Sequence, residues 1–107
     1  MKPEQALVRQ VMEWLSVKGI PHYRTRTSGS IVHSRGKIFF AHDRYFRSQR
    51  GCPDILAWWN GKAFAFELKA PNGRATPEQI AWIEQLNQHG VVAKIVWSLE
   101  DVMGCFQ

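Results

Sequence analysis

The stretch that decides the fold is Ile55-Leu56-Ala57-Trp58-Trp59-Asn60-Gly61-Lys62-Ala63-Phe64-Ala65-Phe66. Asn-Gly between two apolar runs is the strongest short-range signal for a β-hairpin with a two-residue turn. Such a turn pairs Trp59 with Lys62 and fixes the register of both strands. Because both faces of the hairpin are largely apolar, we expect its strands to be central and covered on both sides.

The same register, continued outward, places Asp54 directly opposite Glu67. Cross-strand partners have Cβ atoms about 4.5–5.5 Å apart on one face. Lys69 lies two residues beyond Glu67 and therefore shares that face. The hairpin thus predicts two carboxylates and a lysine side by side.

Residues outside the hairpin predict helices and strands on either side of it. Pro3 to Lys18 has helical spacing of apolar residues, and Thr76 and Gln79 form a capping box around Pro77. The predicted elements are a helix over 3–18, strands over 22–27, 37–41 and 91–97, a helix from Thr76 to Gly90 with Ile80, Ile83 and Leu86 inward, and a helix over 99–103 capped by Ser98. Strand–helix–strand implies a right-handed parallel crossover, so the expected class is α/β.

Composition supports one folded domain. The chain has 107 residues and 45% hydrophobic residues, which is ample for one core. Cys52 and Cys105 form no metal-binding pair and are interpreted as reduced thiols. No signal segment or membrane-spanning apolar run is visible, so we expect a cytoplasmic protein with no membrane partner.

Positive charge is concentrated in one part of the sequence. Residues 18–50 hold eight basic residues and one acidic residue, a charge of +7, whereas the rest of the chain carries −2. A segregated basic stretch is typical of proteins with a polyanionic partner, although a solvated basic surface would give the same pattern.

The paired carboxylates need a compensating positive charge, because like charges this close repel. A divalent cation supplies it, and carboxylate oxygens suit Mg²⁺ or Mn²⁺. Lys69 can then orient or deprotonate a water, or neutralise charge on a phosphate. The alternative is a plain cross-strand ion pair, which would be unusual on a face that also carries Leu56 and Trp58.

Two motifs carry a family resemblance. Gly51-Cys52-Pro53-Asp54 followed by Glu67-Leu68-Lys69 matches the PD-(D/E)XK nuclease signature, and the finer pattern resembles the VRR-NUC family of virus-type replication-repair nucleases. Four further segments support it: Glu4-Gln5, Arg26-Thr27-Ser28-Gly29, Gly73 to Gln79, and Ser98-Leu99-Glu100-Asp101. Since the resemblance covers nearly the whole chain, we expect residues 1–107 to be one stand-alone nuclease domain.

The resemblance implies a restriction-endonuclease-like core and a metal held by Asp54, Glu67 and the carbonyl of Leu68. It implies that Lys69 is catalytic and that Glu4 and Gln79 line the site. From its position alone, Glu4 could equally be a favourable charge at a helix N-terminus. The DNA contacts are expected from Arg24, Arg26, Ser28, Gly29, Arg44, Arg47, Arg50 and Arg74.

Stand-alone members of the family are similar to Holliday-junction resolvases, and fused members act on flaps and crosslink repair intermediates. We therefore expect a homodimeric endonuclease acting on branched or duplex DNA, with Trp14 and residues 38–46 as interface candidates. Alternatives are a flap or nicking nuclease, a catalytically silent DNA-binding module and an RNase, although the four histidines offer no clear acid–base pair. Trp58, Trp59, Trp82 and Trp97 are interpreted as core residues rather than base-stacking platforms.

Overall fold

The computed structural model describes residues 2–25, 30–34, 37–41 and 49–107. The helices are α1 (Pro3–Val17), α2 (Pro77–Gln88) and α3 (Leu99–Met103), followed by a 3₁₀ turn over Gly104–Phe106. The strands are β1 (His22–Arg24), β2 (Ser30–Ser34), β3 (Lys37–Ala41), β4 (Ile55–Trp59), β5 (Lys62–Leu68) and β6 (Val92–Val96). The mixed α/β class is confirmed.

A four-stranded sheet in the order β1-β4-β5-β6 forms the centre of the fold. The first two pairs are antiparallel, and β5 and β6 are parallel. Trp59 pairs with Lys62, so the predicted hairpin register is confirmed. Asn60 and Gly61 have φ values of 51° and 74°, the two positive φ angles that a type I′ turn requires.

One face of the sheet carries the hydrophobic core. From α1, the residues buried against it are Leu7, Val8, Val11 and Leu15. The sheet contributes Ile55, Ala57, Phe64, Phe66, Leu68 and Val96, and α3 contributes Val102. The 3₁₀ turn, which the sequence did not predict, adds Phe106, whose ring centroid lies 4.5 Å from that of Phe64.

Helix α2 packs on β5 and β6 but is not part of this core cluster, so it covers the opposite face. The Asn87 side chain fixes it there, because its amide donates to the Ala93 carbonyl at 2.9 Å and its oxygen accepts from the Ala93 N–H at 3.0 Å. The predicted inward position of Ile80 is wrong: its side chain is 43% exposed. Ile83 and Leu86 are half-buried.

The expectation that the hairpin is covered on both sides is only partly correct. Trp58 and Trp59 are 45% and 38% exposed, and Trp97 is 44% exposed. These three tryptophans are therefore not core residues, and Trp82 is half-buried. The covering helices reach the inner part of the hairpin but leave its turn end open.

Strand boundaries differ from the prediction at several points. The first strand ends at Arg24 rather than Thr27, and the last spans 92–96 rather than 91–97. Strand β3 agrees with the predicted bounds, but its antiparallel partner β2 was not predicted. Among the residues that the structure describes, no helix has the length and apolarity needed to cross a membrane. Cys52 and Cys105 are both free thiols.

Candidate active site

The hairpin register brings the two motif segments together at the end of the sheet. Asp54 immediately precedes β4, Glu67 is the penultimate residue of β5, and Lys69 directly follows that strand. Glu67 is 2% exposed and Lys69 8% exposed. The Lys69 Nζ atom lies 3.9 Å from Glu67 Oε2. A buried acid and a buried base therefore lie side by side at the end of β5.

Backbone contacts hold Asp54 in place. The Leu68 N–H donates to Asp54 Oδ2 at 2.8 Å. Because the N–H and C=O of one strand residue point to the same neighbour, the Leu68 carbonyl is directed to the side on which Asp54 lies. The Thr25 N–H donates to the Asp54 carbonyl at 2.9 Å, and the Thr25 hydroxyl donates to the Pro53 carbonyl.

Helix α1 adds a third carboxylate. Glu4 lies in its first turn, and its carboxylate comes together with those of Asp54 and Glu67, with ligand oxygens all within 4.8 Å of one another. Val8, Val11 and Leu15 follow it on the same helical face and are buried in the core. Docking of that face on the sheet therefore aims Glu4 at the cluster.

Burial and mutual repulsion make it unfavourable for all three carboxylates of the cluster to carry a negative charge at once. The pKa of Glu67 is raised from 4.5 to about 9, with burial as the largest cause, followed by the hydrogen bond with Asp54 and its negative charge. Lys69 acts in the opposite direction. Burial also raises the pKa of the neighbouring Cys52 thiol, with the charges of Glu67 and Asp54 adding to the effect.

The donor set fits a divalent cation. Three carboxylates with converging oxygens, and a backbone carbonyl directed to the same side, are the hard ligands that Mg²⁺ and Mn²⁺ prefer. A bound cation would favour the deprotonated form of Glu67, because its positive charge offsets the repulsion between the carboxylates. The acidic cluster could therefore hold a metal ion.

Gln79 fulfils the predicted capping role. Its backbone N–H donates to Thr76 Oγ1 at 3.2 Å, and its side-chain Oε1 accepts from the Thr76 N–H at 2.9 Å. The first turn of α2 is pressed against the loop that leads to Asp54, because a Cβ on Gly51 would lie 2.8 Å from the Gln79 nitrogen. The Trp82 Nε1–H donates to the Arg50 carbonyl at 2.9 Å and locks the same contact.

We expect Gly51→Ala to destabilise the protein more than Gly90→Ala. Gly51 and Gly90 have φ values of +89° and +86°, but only at Gly51 would a Cβ meet backbone, at 2.7 Å from the Glu78 carbonyl carbon. The shared backbone strain costs about 1–3 kcal/mol, and the overlap adds to it at Gly51 alone. Urea unfolding of both variants measures the difference, and equal losses would show that the loop can move away from α2.

The predicted DNA contacts are only partly described. Arg24, Arg50 and Arg74 are exposed. Arg26, Ser28, Gly29, Arg44 and Arg47 lie outside the described residues. Sequence reasoning did not identify Thr25, which anchors the Pro53-Asp54 backbone. A threonine at the end of a short strand carries no signal that would have distinguished it.

Comparisons with known proteins identify the family and the fold. The VRR-NUC domain model matches residues 3–98. One solved structure, described as a VRR_NUC domain, is 18% identical with a TM-score of 0.66 and covers 99% of this chain and 96% of its own. A second, described as a VRR_NUC domain protein, is 20% identical with a TM-score of 0.62 and covers 100% and 87%. No curated protein matched the chain at a significant level. The match over residues 3–98 shows that the chain belongs to the VRR-NUC domain family, whose nuclease-type fold it shares.

Proposed function

We propose that this protein is a metal-dependent, structure-specific DNA endonuclease that hydrolyses phosphodiester bonds. The observation that carries the proposal is the buried pairing of Glu67 and Lys69 beside Asp54 and Glu4. An ion pair that served only stability would have little reason to bring three carboxylates together, because each added negative charge raises the cost of burial. A cation and a phosphate group would use all four side chains.

In the proposed mechanism, Glu4, Asp54, Glu67 and the Leu68 carbonyl would hold a divalent cation. Such an ion, when bound, would lower the pKa of a water and offset negative charge on the phosphate. The Leu68 N–H fixes the orientation of the Asp54 carboxylate before substrate arrives. The Lys69 Nζ atom, held near Glu67, orients the attacking water or neutralises charge that develops on the phosphate oxygens. Gln79, in the first turn of α2 that packs against Gly51, is proposed to line the site, since a helix N-terminus favours a phosphate.

Metal binding can be tested without a nuclease assay. The pKa of Glu67 is raised in the folded chain, so the folded state retains a proton that the unfolded chain releases. Stability without metal is therefore expected to fall as pH rises from about 4.5 to about 9, because the folded state binds more protons. Mg²⁺ or Mn²⁺ should restore stability, most strongly at the upper end of this range.

Denaturant unfolding in chelator at a series of pH values measures this effect. Glu67→Gln should flatten the pH dependence and abolish the stabilisation by metal. Glu84→Gln is the matched control, since Glu84 is exposed on α2, and it should behave as the wild type. Stabilisation by metal that survives Glu67→Gln would place the metal elsewhere.

We further propose that exposed arginines contact the DNA backbone. Arg24, Arg50 and Arg74 are the described candidates, and the charge of +7 over residues 18–50 supports a polyanionic partner. Each phosphate contact contributes a slope of about −0.9 to the dependence of log affinity on log salt for duplex DNA. Replacing all three by alanine should therefore make the slope measured by fluorescence anisotropy less steep by about two to three units. An unchanged slope would reassign them to solvated surface.

The proposed assembly is a homodimer that resolves four-way junctions by paired incisions. The chain has one acidic cluster among the residues that the structure describes, and a junction requires two nicks related by a two-fold axis. An isologous dimer supplies two such sites. Trp14, an interface candidate, is half-buried and packs against Phe106 at 5.8 Å between ring centroids, so only part of its ring is available.

The deciding experiment compares linear duplex, single strand, flap and four-way junction in Mg²⁺ and in Mn²⁺, with light scattering of the protein alone and with each DNA. Preferred, paired cleavage of the junction by a dimer supports the proposal. A monomer that prefers flaps would make the protein a structure-specific nicking nuclease. Tight DNA binding with no cleavage in either metal would make it a silent binding module, and cleavage of RNA alone would make it an RNase.

A further inference from the structure

A groove begins at the lysine of the candidate active site. It has a volume of about 680 Å³ and lies between α1, the segment after β5 and the start of α3. Lys69 and Trp97 both line it. The two residues lie close together just beyond the ends of β5 and β6, because the Lys69 N–H donates to the Val96 carbonyl at 2.9 Å and Trp97 follows Val96.

The Trp97 side chain is fixed and yet exposed. Its indole Nε1–H donates to the Gly73 carbonyl at 3.0 Å, and its backbone N–H donates to Asp101 Oδ2 at 2.9 Å. Nevertheless 44% of the residue is accessible. Both nitrogens are occupied, so the ring loses little conformational entropy when something stacks on it. Hydrogen bonds of this kind usually satisfy the polar N–H of a buried indole. Because the Trp97 side chain is exposed, burial does not account for them.

The other residues that line the groove favour a nucleobase over phosphate groups as its occupant. Leu7, Pro71 and Leu99 give the groove apolar walls. The charged residues that line it sum to zero, because Arg9 is paired with Glu13 at 3.3 Å and the remaining lining holds one base, Lys69, and one acid, Glu100. A cleft whose lining carries no net charge and which holds a fixed aromatic ring suits a planar base better than a row of phosphates.

We propose that this groove holds the nucleobase next to the scissile phosphodiester, stacked on Trp97 and turned out of the duplex or branch. The proposal rests on the nuclease function above and adds to it a base-binding subsite. Such a subsite would favour branched DNA, because a base at a junction or flap is unstacked at less cost than one within a duplex.

Steady-state kinetics on the preferred DNA test the subsite. Trp97→Ala should raise KM about tenfold, the usual contribution of one stacked base, with a much smaller change in kcat because Lys69 and the carboxylates stay in place. Trp97→Phe, which keeps a ring but loses the bond to Gly73, should recover part of the difference. Trp59→Ala is the control, since Trp59 is comparably exposed but lines a different cavity with Trp14 and Lys18; it should leave KM unchanged.

Abasic substitution identifies the base. Removing one base beside the cleaved bond should raise KM for the wild type. The same removal should not raise KM further for Trp97→Ala, because the two changes remove the same contact. The subsite is ruled out if Trp97→Ala raises KM by the same factor on every abasic substrate. It is also ruled out if Trp97→Ala has the KM of the wild type.

A binding measurement separates this proposal from the nuclease itself and needs no change at Trp97. Asp54→Asn retains an oxygen that can accept the Leu68 hydrogen bond and should bind DNA without cutting it. 2-Aminopurine placed beside the scissile bond should lose most of its fluorescence on binding, through stacking on the indole. Quenching with a wild type that never cuts DNA would leave the subsite standing and overturn the nuclease. Cleavage without quenching at any position near the bond would support the nuclease and rule out the subsite.

Discussion

Glu67→Gln is expected to reduce cleavage on the order of a thousandfold while the chain stays folded. The carboxylate is 2% exposed and shares its site with Asp54 and Glu4. Replacing it by an amide of the same shape removes a charged oxygen from the proposed metal site, and a divalent ion bound there would contribute several kcal/mol of stabilisation to the transition state. The effect is measured from initial rates of the wild type and of Glu67→Gln on the preferred DNA in Mg²⁺ or Mn²⁺. Unfolding curves of the same two proteins check that the variant is folded.

Glu84→Gln again provides the control for this experiment. Glu84 is exposed on α2, away from the acidic cluster, so its replacement should leave the rate of cleavage unchanged. Excess chelator should abolish cleavage by the wild type. Full activity in chelator would contradict the metal mechanism, and an active Glu67→Gln protein would contradict the ligand assignment.

Lys69→Ala is expected to lower kcat about a hundredfold or more, the usual contribution of a positioned acid–base or charge-stabilising group. Binding should change little, because Lys69 is one of fourteen basic residues and is only 8% exposed. Single-turnover cleavage and equilibrium anisotropy on the same DNA separate the two quantities.

Lys94→Ala is the matched control, since Lys94 is exposed on the edge strand β6. It should leave kcat unchanged. A parallel fall of binding and rate in Lys69→Ala would mean that the lysine positions DNA rather than acting on the phosphate.

The hairpin and the residues around it could be predicted because local chemistry determines them. Asn60-Gly61 adopts the two positive φ angles that only a few residues tolerate, and that single turn fixes the register that opposes Asp54 and Glu67. Thr76 is a second example. Its position directly before Pro77 predicts a helix N-cap, and its hydroxyl does cap α2. Both features depend on residues that are adjacent along the chain.

Features that depend on tertiary packing were not predictable. Trp97 alternates with apolar residues, as a core residue would, and its exposure follows from how α1 and α3 sit beside the sheet. Ile80 has the spacing of an inward residue, but α2 contacts mainly β6 and leaves that position open. Glu4 could be placed in the site only by resemblance, because the helix pattern alone is equally consistent with a solvated N-terminal charge.

The wide separation of Glu4 from Asp54 along the chain has a consequence for folding. Asp54 and Glu67 meet as soon as the hairpin closes, over 13 positions, whereas Glu4 is 50 positions from Asp54. Closing the longer loop costs about 1 kcal/mol more in chain entropy, and the docked face of α1 must provide it. A partly folded chain with a formed hairpin would thus already bring together Asp54, Glu67 and Lys69 but lack the third carboxylate. Completion of the acidic cluster therefore requires that the N-terminal helix has docked on the sheet.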